Sequence, residues 1–148
     1  MNILFINGSP NKSGKTAAIA ATLLADKEYE TLNLSDYKIG VYGQNLPDDQ
    51  LDEVLEKIRA ADVLVVGSPV YWHNICGSIR NMLDRFYGYV QKGSLSGKLY
   101  FIFQGACPEQ WMMEASSFTM MRFSKIYGYS YEGMITTPEE AAAAAENL

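Results

Sequence analysis

Apolar residues along this chain alternate between short unbroken runs and longer stretches with helical spacing. Residues 2–6, Asn-Ile-Leu-Phe-Ile, form an apolar run closed by Asn7-Gly8-Ser9-Pro10, the pattern of a strand buried on both faces. A polar, glycine-containing loop leads to Gly14, and an alanine-rich helix is predicted from 15 to about 25. Residues 29–34 alternate as a second strand, and 35–47 are irregular. From Asp48 onward Leu51, Val54, Leu55 and Ile58 recur at helical spacing, with Asp52, Glu53, Glu56 and Lys57 on the opposite side, so an amphipathic helix is expected. Residues 63–67 are a third buried strand. Ile75, Ile79, Met82, Leu83 and Phe86 mark one face of the next helix, and 99–103 repeat the strand signature. A long helix is expected over 111–127, but its apolar residues, among them Trp111, Met112, Phe118, Met121, Phe123 and Ile126, spread too widely for one buried face. Residues 129–135 read as a fifth strand and 138–148 as a short alanine-rich helix or frayed end.

Strands that alternate with helices in this way need crossover connections, which are almost always right-handed and give a parallel sheet covered on both faces. The predicted fold is α/β: a doubly wound, five-stranded parallel sheet in a single domain over 1–148. Ligands of such sheets sit beyond the carboxyl ends of the strands, at the switch point. Function is therefore expected in three loops, 8–16, 68–74 and 104–110.

Composition narrows the classes of partner. Apolar residues make up 48% of the chain and charged residues 20%, the balance of a globular protein. No apolar run approaches the roughly 18 residues of a membrane span. The start of the chain lacks the pattern of a secretory signal, so a cytoplasmic location is expected. Twelve basic and 17 acidic residues give a net charge of −5, with no basic stripe to hold a phosphate backbone, which argues against nucleic acid. Cys76 and Cys107 lack the spacing of a metal site and are expected as free thiols.

The first loop, Gly8-Ser9-Pro10-Asn11-Lys12-Ser13-Gly14-Lys15-Thr16, combines backbone N–H groups, hydroxyls and a helix N-terminus, which together suit a phosphate. A plain capped turn with Ser13 as N-cap is the alternative. Ser13-Gly14-Lys15-Thr16 also ends as a nucleotide-hydrolase P-loop ends. That motif needs a glycine at position 9, where this chain has Ser9, and 63–67 end without a magnesium-binding aspartate. The second loop places Tyr71 and Trp72 side by side after a buried strand, where a planar heteroaromatic ring could cover both; Trp72 packed internally is the other reading.

The run from Gly67 to Phe86, Gly-Ser-Pro-Val-Tyr-Trp-His-Asn-Ile-Cys-Gly-Ser-Ile-Arg-Asn-Met-Leu-Asp-Arg-Phe, closely resembles the NAD(P)H-dependent FMN reductases, and Asn7-Gly8-Ser9-Pro10 with Ser13 and Thr16 resembles their phosphate loop. The resemblance implies a flavodoxin-like fold, with FMN as bound cofactor and NAD(P)H as reductant. It places Ser9, Asn11, Ser13, Gly14, Lys15 and Thr16 on the FMN phosphate. It places Pro69, Val70, Tyr71, Trp72, His73 and Asn74 along the ribityl chain and isoalloxazine, and Gln104, Gly105 and Ala106 on the far wall. Many relatives carry an arginine in the first loop where this chain has Asn11 and Lys12. A related branch holds an iron–sulfur cluster on cysteines between the second strand and second helix, and 35–47 contain no cysteine.

The expected function is thus an FMN-dependent oxidoreductase that delivers electrons to a flavin, a quinone or a similar small-molecule acceptor. A flavodoxin-like electron carrier is the alternative, and a weakly flavin-binding interaction module a further one. No side chain is assigned to catalysis, because hydride transfer asks mainly for alignment of two rings. His73, the single histidine, is read either as a hydrogen-bond donor at the ring edge or as a solvent-facing loop residue. Arg80 and Asp84, four apart, are expected as a surface ion pair. The surplus apolar residues of the long helix point to a homodimer, as does the resemblance.

Overall fold

The computed structural model describes residues 1–148. Five parallel strands build the sheet: β1 (Ile3–Asn7), β2 (Glu30–Asn33), β3 (Val63–Tyr71), β5 (Lys98–Gln104) and β6 (Ser130–Ile135), in the order β2-β1-β3-β5-β6. β1 is held on both sides; Phe5, for example, lies between Thr31 and Val65. The chain steps from β1 to β2 on one side and then to β3 on the other, so the switch point lies between β1 and β3.

The helices are α1 (Lys15–Leu23), α2 (Leu51–Ala60), α3 (Gly77–Phe86), α4 (Gln110–Tyr127) and α5 (Pro138–Ala145). They cover both faces, which is why the strands are apolar without alternation. Leu4, Ile6, Leu64, Val66, Phe101 and Phe103 pack under α2, α3 and α4. The intervening Ile3, Phe5, Val63, Val65, Tyr100 and Ile102 pack under α1 and α5. The second layer is the smaller of the two, and its helices α1 and α5 are rich in alanine.

Two sequence expectations need correction. α1 stops at Leu23 rather than near 25, and Asp26 turns the chain at φ 64°. The third strand does not end at Gly67. It continues against β5 through Ser68↔Phe103 and Pro69↔Gln104, then folds back on a sixth, two-residue strand, β4 (Asn74–Ile75), which pairs antiparallel with β3. Pro69 is tolerated there because β1 has already ended opposite Gly67. What reads as an open loop over 68–74 is therefore mostly hairpin.

The irregular segment before α2 is clamped to α3. Arg85 Nη1 donates to Asp49 Oδ2 at 2.6 Å and to the Gly40 carbonyl at 2.8 Å, while Asn81 Nδ2 donates to the Ile39 and Gly40 carbonyls. The Asp49 carboxylate also accepts from the N–H groups of Gly40 and Leu51. The Arg85 guanidinium, helped by these N–H groups, holds the Asp49 carboxyl down at about 2 against the opposing effect of its burial. Arg80 and Asp84 form the expected exposed pair at 3.3 Å.

Candidate functional site

The loop from β1 to α1 is organised by its own side chains. Asn7 Oδ1 accepts from Ser9 N, Ser9 Oγ from Asn11 N, and Asn11 Oδ1 from Ser13 N, a relay of short turns that carries the backbone around to the helix. No side chain caps α1, and Gly14 at its N-cap is extended. The first intrahelical bond is Ala18 N to Gly14 O, so the N–H groups of Lys15, Thr16 and Ala17 have no acceptor in the protein. Ser13 Oγ and Lys15 Nζ are also unpartnered. Lys12 is diverted: its ammonium pairs with Asp36 at 2.6 Å.

Two glycines let this loop touch the second strand end. Gly8 N donates to Gly67 O at 2.8 Å. A Cβ on Gly8 would stand 2.4 Å from Ile79 Cγ1 and 2.8 Å from Cys76 Sγ, and one on Gly67 would stand 2.7 Å from both Phe5 and Thr16. A network absent from the sequence reading completes the join. Ser78 Oγ donates to the Gly8 carbonyl, Cys76 N donates to Ser68 Oγ, and Ser68 Oγ donates to the Pro69 carbonyl. Cys76 is buried here as a thiol, whereas Cys107 is exposed.

The three strand-end loops meet around a cleft of about 340 Å³. Ser9, Asn11, Gly14 and Lys15 line it from the first loop, Pro69, Val70 and Tyr71 from the hairpin, and Gln104, Gly105 and Ala106 from the end of β5. Thr16 is 1% exposed and lies beneath; its Oγ1 accepts from Gln104 Nε2 at 3.2 Å, which fixes that amide across the cleft floor. A Cβ on Gly105 would meet Val70 at 2.9 Å, so the second and third walls touch through a glycine. No carboxylate lines this cleft, and Lys15 is its one charged side chain. Three free N–H groups, a free hydroxyl and an unpaired ammonium are a donor set matched to a phosphate ester, and the group that the resemblance implies, FMN, fits it.

Trp72, His73 and Asn74 do not line that cleft. Trp72 and His73 are the two corner residues of the β3–β4 hairpin, with φ of 48° and 63°. A two-residue turn of this hand favours Asn-Gly, and left-handed backbone costs an ordinary residue about 1–2 kcal/mol. Trp72 is 93% exposed, so it neither packs internally nor touches the cleft. Asn74 closes the turn opposite Tyr71, its Oδ1 accepting from Ile75 N. His73 packs its ring on Trp111, with centroids 5.8 Å apart. Trp72 and His73 bound a second cavity of about 390 Å³, whose other wall is Cys107, Pro108, Glu109 and Met112. Val70, Gly105 and Ala106 line both hollows. Larger hollows exist elsewhere, including one of about 600 Å³ near Met1, Tyr29 and Lys57, but it lies at the amino ends of the strands.

Known proteins resemble this chain in sequence and in fold. An iron–sulfur flavoprotein of Archaeoglobus fulgidus is 33% identical over 99 residues, covering 57% of this chain and 48% of that protein. The putative NAD(P)H-dependent FMN-containing oxidoreductase YwqN of Bacillus subtilis is 26% identical over 94 residues, covering 58% and 52%. The chain thus spans about half the length of the curated relatives it matches. The Trp repressor binding protein of B. subtilis superposes with a TM-score of 0.75 at 18% identity, covering 100% of this chain and 99% of that one, a likeness of fold. The sequence profile of the NADPH-dependent FMN reductases matches residues 1–144, and the chain belongs to that family.

Proposed function

We propose that the protein is an oxidoreductase that binds FMN in the cleft, takes electrons from NADH or NADPH, and passes them to a small acceptor such as a quinone or another flavin. The observation that carries this reading is the set of unpartnered N–H groups at the start of α1, beside the cleft that the ends of β3 and β5 share at the switch point. Bound FMN supplies reversible two-electron chemistry. The chain supplies binding and alignment. Ser9, Asn11, Ser13, Gly14, Lys15 and Thr16 receive the phosphate. Pro69, Val70 and Tyr71, with Gln104, Gly105 and Ala106, shape the path of the ribityl chain and ring. The adjoining cavity would leave room for a second planar reactant beside bound FMN, and Trp72, on its rim and 93% exposed, does not fill it. That open room supports a reductase over an electron carrier, which needs only an exposed ring edge. One site serving both reactants in turn gives ping-pong kinetics.

Titration of apo-protein with FMN, followed by quenching of flavin fluorescence, tests binding; ATP in the same titration should have no effect. Anaerobic addition of NADH or NADPH should then bleach the bound flavin without any protein partner. Failure to retain flavin removes the proposal, and bleaching only with a separate reductase replaces it by the carrier. We further propose a homodimer in the cytoplasm. Phe118 on α4 is 61% exposed beside Tyr42, Tyr87 and Ile126, an apolar surface that a second copy would bury. A monomeric mass by light scattering at micromolar concentration would count against it.

A further inference from the structure

We propose that His73 is the proton donor to the acceptor bound in the 390 Å³ cavity, and that the site therefore favours acceptors needing a proton with their electrons, conjugated carbonyls above all. This rests on the FMN-dependent reading just given. Three observations carry it. Among the side chains lining the cavity, only His73, Cys107 and Glu109 hold or exchange a proton readily. Glu109 is engaged as an acceptor, taking the Trp111 indole N–H at 2.7 Å, and a thiol such as Cys107 is a weak donor. His73 makes no hydrogen bond within the protein, so both ring nitrogens are free. The second observation is its support: the ring rests on Trp111, which fixes its place at the cavity wall. The third is the backbone. An Asn-Gly corner would form this turn without strain, yet the chain carries Trp72-His73 at φ 48° and 63°, and strain of this kind collects where side-chain placement matters.

The chemistry balances simply. A conjugated dicarbonyl that took a hydride, two electrons with one proton, from reduced flavin would be left with a negative charge on its second oxygen. The protonated imidazole of His73 gives its N–H proton to that oxygen, an O–H bond forms, and the neutral imidazole recovers a proton from water. The acceptor has then gained two electrons and two protons. An outer-sphere oxidant such as ferricyanide takes electrons alone and has no use for the imidazole.

Because His73 is the single histidine, one pair of imidazole signals in untagged, histidine-labelled protein reports on it directly. With oxidised FMN bound and no reductant present, adding menadione should shift those signals saturably. In parallel, protein whose flavin has been photoreduced is mixed with menadione or with ferricyanide. For His73→Gln the ratio of menadione to ferricyanide rates should fall about 100-fold, the usual scale of a general acid, and free imidazole should restore part of it. Unmoved imidazole signals while menadione quenches tryptophan fluorescence would overturn the proposal. So would equal loss toward both oxidants, or loss without rescue. Photoreduction bypasses NAD(P)H, so a protein that holds FMN but is not reduced by nicotinamide refutes the reductase reading while His73 is still tested. A protein that holds no FMN refutes both.

Discussion

The loop from β1 to α1 and the tip of the β3–β4 hairpin sit at the same end of the sheet and are built in opposite ways. In the first, every turn is supported: side-chain oxygens hold successive N–H groups, and Gly8 and Gly67 stand where a Cβ would collide with buried atoms. In the second, two large side chains occupy positions that suit Asn-Gly, and one is almost fully in solvent. The contrast teaches a division of labour. A phosphate is held by backbone, which must be preorganised, whereas the reacting end of a ligand is met by side chains, whose display justifies local strain.

The largest effect is expected from forcing the two loops apart. Gly8→Val should destabilise the fold by about 3 kcal/mol through overpacking against Ile79 and Cys76, and should abolish FMN binding; denaturant unfolding and flavin retention read the two losses. If Gly8→Val binds FMN normally, the supported-loop description is wrong.

Breaking the clamp behind α3 comes next. Arg85→Met leaves the Asp49 carboxylate, about 14% exposed, without its cation, and should cost about 2 kcal/mol. The pH dependence follows from the depressed carboxyl of Asp49. Its folded value of about 2 lies below the ordinary 3.8, so its stabilising contribution is full above the ordinary value and is lost as pH falls toward 2. In Arg85→Met that acid limb should flatten, as read by melting temperature between pH 5 and pH 2.

Lys15→Ala should weaken FMN binding about tenfold, since Lys15 is the cleft's one charged side chain. Asp36→Asn should do the reverse by a few-fold, because it frees Lys12 for the phosphate. The Lys12→Ala/Asp36→Asn double variant should lose that gain. Calorimetric titration with FMN separates the three.

The smallest effect sharpens the comparison most. Replacing Trp72-His73 by Asn-Gly should stabilise the protein by about 1 kcal/mol, seen as a raised melting temperature, because the turn then carries the residues it prefers. The same change should impair electron transfer to quinones. Stability that falls instead would show that the hairpin tip is not strained.

The sequence made the supported loop legible and the strained one nearly opaque, for physical reasons. Buried strands and amphipathic helices announce themselves through apolar spacing, so the doubly wound order was readable throughout. The first loop was readable because Gly, Ser, Asn and a helix start are the residue types that a phosphate needs. The hairpin was hidden: Trp-His carries no turn signal, and Pro69 argues against a continuing strand. Cys107, Glu109 and Trp111 were missed as cavity neighbours of His73 because they meet it only through the fold. The clamp of Arg85 on Asp49 spans 36 residues and left no local trace.

Because β1 is an interior strand, its two edges are paired by segments that follow it at very different distances along the chain. Leu4 meets Glu30, 26 residues on, and Leu64, 60 residues on. Closing the longer loop costs only about 0.7 kcal/mol more than the shorter, but both must close before Ile3, Leu4, Phe5 and Ile6 leave water. An apolar segment thus stays exposed until the chain sixty residues further on is available to pair with it, and folding should be slow for the domain's size and prone to aggregation.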